Sequence, residues 1–171
     1  MQHTIDFVKQ YYPHAFMIAQ KKGYDAVAIL AQAALESGWG QRVKGNNFFG
    51  IKDTDGVNGN EQLIRTREVL KTDKARFPVI HSIKKLANGL WEYFVSDYFR
   101  KYDSAWESFL DYTLFLEMNS RYRRALESKS DGLTFLRLIA EAGYATDPNY
   151  AKSLISLYTM IDRLVNQHIK L

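Results

Sequence analysis

The chain has 171 residues, 46% hydrophobic and 25% charged, with 10 Gly, 3 Pro and no Cys, a globular composition that can build one core without cross-links. Lack of Cys excludes a disulfide scaffold, a thiolate metal site and a cysteine nucleophile, and leaves the compartment open. An excess of 23 Lys+Arg over 19 Asp+Glu, net +4, suits a polyanionic partner, while neither membrane insertion nor a signal peptide is expected from any apolar run.

In chain order, Thr4 can cap a first helical segment carrying Ile5 and Val8, Pro13 can open a second, and Gly23 stops it after Lys21 and Lys22. Asp25 then caps the run AVAILAQAALES, Ala26 to Ser37, which Gly38 closes. That run is apolar around nearly its whole circumference, so it predicts a buried central helix. From about Phe48 to Tyr102 the pattern shifts to period two, with Asn58-Gly59 and Asn88-Gly89 placed as hairpin turns. Helical periodicity returns at Ser104, where Ser104 and Glu107 form a capping box. Asp131 can cap a helix through Phe135, Leu138 and Ile139 that ends at Gly143, and Asp147-Pro148 opens a last one through Leu154, Leu157, Ile161 and Leu164.

These elements predict an α+β fold, predominantly helical: one domain over residues 1–171 with a small antiparallel β lobe at about 53–100. A cleft between lobe and helical body is the expected binding site. The 11 Tyr, 10 Phe and 3 Trp, 14% of the chain, either fill the core or line a carbohydrate or nucleic-acid groove.

Glu36 is the most informative position. It ends an almost wholly apolar helix, with Gln32 four residues back on the same face and no Arg or Lys in the run to pair it. Burial of a carboxylate without a partner is costly, so its pKa is expected to rise, as a general acid requires. The alternative is a carboxylate at a helix end with ordinary solvation. The segments SGWG and GNNFFGIK follow; their glycines let the backbone turn tightly, and Trp39, Phe48 and Phe49 offer faces for sugar rings.

LAQAALESGWG (Leu30 to Gly40) with NNFFGIK (Asn46 to Lys52) resembles the signature of the glucosaminidase family of bacterial cell-wall hydrolases, glycoside hydrolase family 73. Thr66-Arg67-Glu68 is similar to the family's T-x-E, FRKYDS (Phe99 to Ser104) to its FRxYxS, and GYATDPNY (Gly143 to Tyr150) to its near-terminal motif. The resemblance implies a lysozyme-like fold and hydrolysis of the β-1,4 bond after N-acetylglucosamine in peptidoglycan. It implies Glu36 as general acid, Glu68 on the β lobe as second carboxylate, with Glu61 as its rival, and Tyr144 as a catalytic-cleft tyrosine. Gln32, Trp39, Asn47, Phe49 and Tyr150 are the expected substrate-binding residues. Two departures stand out: the stretch from Leu70 to Phe99 is longer than in compact members, leaving room for an extra hairpin, and Arg67 and Val69 flank Glu68 where the family often has Thr and Tyr.

Other signals are weaker. Asp53-Thr54-Asp55-Gly56 fails the spacing of a calcium loop, the four His lack metal-ligand spacing and read as surface residues, and no phosphate loop or serine-nucleophile motif is present. Arg121, Arg123 and Arg124 read as a solvated face that could meet an anionic wall polymer. The expectation is therefore a monomeric glycosidase without cofactor or metal, acting on peptidoglycan glycan strands outside the cytoplasm, with no nucleic-acid partner. A lytic transglycosylase or muramidase on the same polymer, or a catalytically silent glycan-binding module, are the alternatives.

Overall fold

Helix α2 (Ala26–Ser37) anchors the structure, a computed structural model describing residues 2–169. Asp25 accepts from the Ala28 backbone N–H at 2.8 Å, and Gly38 ends the helix in the left-handed region at φ +57°, both as the sequence predicts. Residues Val27 to Ala34 are buried throughout, because α2 packs against α1 (Gln2–Lys22), α5 (Gly132–Glu141) and α6 (Tyr150–His168). A Cβ at position 38 would lie 2.7 Å from Arg42 Nε, a flexible side chain that can give way, so it is the backbone angle that calls for glycine here.

The N-terminal expectation is corrected. Thr4 and Pro13 do not delimit two segments; α1 is one helix of 21 residues with Pro13 inside it. Proline forfeits one main-chain hydrogen bond and crowds the preceding turn. Phe7, Val8, Tyr12, Ala15 and Ile18, on both sides of Pro13, are buried, and this packing holds the helix continuous.

The remaining helices are α3 (Ala105–Met118), a 3₁₀ turn at Ser120–Tyr122, and α4 (Arg123–Glu127), followed by α5 and α6. Ser104 caps α3 by accepting from Glu107 N at 3.3 Å, and the Glu107 carboxylate reaches back to Asp103 N at 3.0 Å, one residue earlier than an ideal box. Asp131 caps α5 through Thr134 N at 3.3 Å. Asp147 shapes the turn before α6, accepting from Asn149 N at 2.8 Å. His14 departs from the surface expectation: it is half-buried beside the rings of Trp106 and Phe109, and burial lowers its pKa.

The chain divides into two compact units. Gly50–Lys101 forms one, and the chain before and after it forms the other. The smaller unit is a three-stranded antiparallel sheet in the order β1-β3-β2, from β1 (Glu61–Leu70), β2 (Val79–Lys85) and β3 (Trp91–Arg100). Asn88-Gly89 makes the β2–β3 turn as expected, with Leu86 N donating to Leu90 O at 2.8 Å. Asn58-Gly59 does not form a hairpin. The N–H groups of Asn58 and Gly59 donate to Glu61 Oε2 at 3.0 and 2.8 Å, which turns an irregular loop into β1 with no strand before it. Tyr93 and Val95 of β3 are fully buried, and the Tyr93 hydroxyl secures the loop after β1 by donating to Thr72 O at 2.9 Å.

Candidate active site

In the helical unit, α2 carries Gln32 and Glu36 one turn apart, and α3 and α6 complete a hydrogen-bond chain around them. Tyr112 of α3 donates its hydroxyl proton to Gln32 Oε1. The Gln32 amide donates to Tyr150 Oη at 3.2 Å, and Tyr150, first residue of α6, donates to Glu36 Oε1 at 2.5 Å. Gln32 and Tyr112 have no exposed surface, Tyr150 is 6% exposed, and Glu36 is half-buried. Desolvation by burial raises the Glu36 pKa, outweighing the Tyr150 hydrogen bond and the Arg42 charge, which both favour the carboxylate. Arg42, just beyond α2, also donates from Nη2 to Leu35 O at 3.3 Å, satisfying a carbonyl at the helix C-terminus.

The expected substrate-binding residues fall into different places. Gln32 is fully buried, and its polar atoms serve the Tyr112–Tyr150 chain. Phe49 is 1% exposed, stacked on Tyr112 at 4.1 Å between centroids and edge-on to Phe109 at 5.1 Å, so its ring packs in the core. Tyr144 is half-buried, stacks on Tyr150 at 6.2 Å and 6°, and donates its hydroxyl to Phe49 O at 2.9 Å. Asn47 is 9% exposed. Trp39 keeps part of its indole exposed while packing edge-on against Phe7 at 5.5 Å. Its backbone is left-handed at φ +59°, a conformation that is strained for a bulky residue.

In the sheet unit, Glu68 lies opposite Tyr93 in the β1–β3 register. Lys52 Nζ sits 2.9 Å from Glu68 Oε1 and 2.9 Å from Asp97 Oδ2. Lys52 is placed by a β-bridge to Phe99, with Asp53 N donating to Tyr98 O at 3.0 Å and Arg100 N to Ile51 O at 3.0 Å. Burial alone would lower the Lys52 pKa, but the two carboxylates overcome this and raise it. Glu61 is committed to its turn through the two backbone N–H groups above. Sequence reasoning missed Tyr112, Asp97, Arg42 and the bridging role of Lys52; Lys52 closes the NNFFGIK motif, its only sequence signal. Among the described residues, no group of three or more His, Cys, Asp or Glu could hold a metal ion, and no helix is long and apolar enough to cross a membrane.

Helices around a buried apolar helix, interrupted by a small antiparallel sheet, are the architecture of peptidoglycan-hydrolase catalytic domains. The structure matches a peptidoglycan hydrolase mutant from Sphingomonas sp. A1 with a TM-score of 0.72 and 30% identity, covering 96% of this chain and 99% of that one. The catalytic domain of the autolysin Auto from Listeria monocytogenes shares the fold, with a TM-score of 0.67 at 22% identity over 97% of this chain and 88% of that one. The chain belongs to the glucosaminidase family: the family model described as mannosyl-glycoprotein endo-beta-N-acetylglucosaminidase matches residues 12–163. Among curated relatives, the peptidoglycan hydrolase FlgJ of Vibrio cholerae is 36% identical over 164 residues, 92% of this chain and 44% of that protein. The FlgJ of Salmonella typhimurium is 33% identical over 159 residues, 89% of this chain and 44% of that protein. The chain thus spans less than half the length of these two relatives.

Proposed function

We propose that this chain is a peptidoglycan hydrolase, an endo-β-N-acetylglucosaminidase that cleaves the β-1,4 bond between N-acetylglucosamine and N-acetylmuramic acid in the cell wall. The observation that carries the reading is the Glu36 carboxyl group, desolvated enough to raise its pKa and oriented by the Tyr150 hydroxyl, in a member of the glucosaminidase family. Glu36 protonates the leaving glycosidic oxygen as the bond breaks. Glu68 is the second carboxylate, activating water or stabilising the oxocarbenium-like transition state. Tyr150 and Gln32 act through Glu36 as positioning residues. Tyr144 holds the Phe49 carbonyl and buttresses Tyr150 by stacking.

Digestion of purified peptidoglycan, followed by mass analysis of borohydride-reduced fragments, tests the reading. Reducing N-acetylglucosamine ends are expected. Reducing muramic ends would make the chain a muramidase, 1,6-anhydro-muramic ends a lytic transglycosylase, and absence of cleavage a glycan-binding module.

A further inference from the structure

We propose that the cavity between the C-terminal end of α2 and the first turns of α6 binds a carboxylate on the peptide substituents of peptidoglycan. The inference rests on the peptidoglycan reading above and extends it from the sugar chain to its peptides. The cavity measures about 440 Å³, within the range of small-ligand sites. Leu35 and Leu157 supply apolar lining, Trp39 an indole, Ser153 a hydroxyl, and Arg42 and Lys152 two positive charges.

Three observations converge on an anionic ligand with an aliphatic body. First, neither Arg42 nor Lys152 forms an ion pair among the described residues, unlike Lys22, Lys52 and Arg67. Glu36 is the acidic group that the Arg42 charge meets, but no acidic side chain lines the cavity, so its two like charges favour an incoming anion. Second, Arg42 uses one N–H on Leu35 O, and its fork retains further donors of the kind that match a carboxylate. Third, Trp39 is held in a left-handed backbone conformation while lining this space; strain of that kind is retained where a side chain is placed for use.

Position ties the cavity to the chemistry. Leu35 precedes Glu36 in α2, Tyr150 hydrogen-bonds Glu36 two residues before Lys152, and the Arg42 charge acts on Glu36. The cavity thus adjoins the segments that carry the proposed acid and its partner, while Glu36 itself does not line it. N-acetylated sugar rings of the glycan carry no net charge, and in the intact strand the lactyl carboxyl of muramic acid is tied up as the amide to its peptide, so the free carboxylates are those of the peptides. The two cations therefore select the peptide-bearing strand over the bare glycan.

The test measures binding to the Glu36→Gln protein, so that no ligand is consumed. Calorimetry compares a glycan oligomer carrying its peptides with the same oligomer after amidase removal of them and conversion of the lactyl carboxylate this frees to its methylamide. Peptide-bearing oligomer is expected to bind about tenfold more tightly, and Lys152→Glu is expected to erase that difference while leaving the Kd for stripped oligomer unchanged. Lys152→Gln should reduce the difference and serves if the charge reversal lowers the melting temperature. Equal affinities for the two oligomers, equal weakening of both by the Lys152 variants, or no binding of either would overturn the proposal. Hydrolysis of stripped glycan by the protein with Glu36 intact is scored separately. Its failure alongside preserved peptide selectivity would indict the hydrolase reading and not the cavity.

Discussion

The Tyr150 hydroxyl lies 2.5 Å from Glu36 Oε1 and accepts the Gln32 amide at 3.2 Å, so its proton is committed to the carboxyl group. Each step back fixes the next, because Gln32 Oε1 is taken by Tyr112 and only its NH₂ remains to meet Tyr150. Three elements, α2, α3 and α6, thereby orient one carboxyl oxygen from below. Fully satisfied buried networks of this kind rigidify a site.

If Glu36 is the general acid, Glu36→Gln removes the proton donor and keeps the shape. Cleavage of peptidoglycan is expected to fall by about 10²–10⁴-fold or more, with an unchanged far-UV circular dichroism spectrum. Retention of a tenth or more of the parent activity would rule out the assignment.

Tyr150→Phe deletes the hydrogen bond that favours the carboxylate, so the Glu36 pKa should rise further. A general acid works in its protonated form, and the alkaline limb of the pH–kcat profile should therefore move to higher pH. Arg42→Gln removes a positive charge that also favours the carboxylate, and should shift the same limb in the same direction. A shift to lower pH in either variant contradicts the assignment of that limb to Glu36.

Glu36 also links stability to pH. Its folded pKa is raised by burial above the unfolded value of about 4.3, so the folded state holds the proton more tightly. The resulting stabilisation is fully present below the unfolded value and is lost as pH rises through the folded one. Gln does not titrate. The melting temperature of Glu36→Gln relative to the parent should therefore increase from pH 4 to pH 8 in thermal unfolding, and a flat or falling difference would argue against the raised pKa.

The two candidate second carboxylates make opposite predictions. Glu68 faces Lys52, which bridges it to Asp97, whereas Glu61 is tied to the backbone N–H groups of Asn58 and Gly59. Glu68→Gln is expected to lower kcat by about 10²-fold or more. Glu61→Gln should leave kcat near the parent value and show its effect as faster proteolysis of the loop at Asp53–Asn60. The reverse ranking in steady-state assays would transfer the role to Glu61.

Phe49 separates packing from ligand contact. With 1% exposure and a stacked Tyr112 partner, Phe49→Ala should destabilise the fold by about 3–5 kcal/mol in denaturant titration. Trp39→Ala, at a half-exposed indole, should affect stability less. A Phe49→Ala protein of parental stability with weakened glycan binding would place Phe49 in the substrate-contact role.

The parts of this protein legible in the sequence are those whose partners lie within one turn of chain. Asp25 meets Ala28, Ser104 meets Glu107 and Asp131 meets Thr134. Such caps declare helix starts because an orphan N–H is satisfied three residues away. The apolar circumference of α2 similarly announced its burial, and singled out Glu36 as the polar exception. Where local signals competed with packing they misled: Pro13 reads as a break, yet α1 runs through it, and Asn58-Gly59 reads as a hairpin, yet Glu61 captures its N–H groups. The environment of Glu36 was decided only by tertiary structure. Gln32 meets Tyr112 and Tyr150 across 80 and 118 residues of sequence, and Lys52 reaches Glu68 and Asp97 from outside the named strands. Sequence alone determined that a carboxyl group would end a buried helix; which hydroxyl points at it depends on three separate elements docking together, and no periodicity within any one of them encodes that meeting.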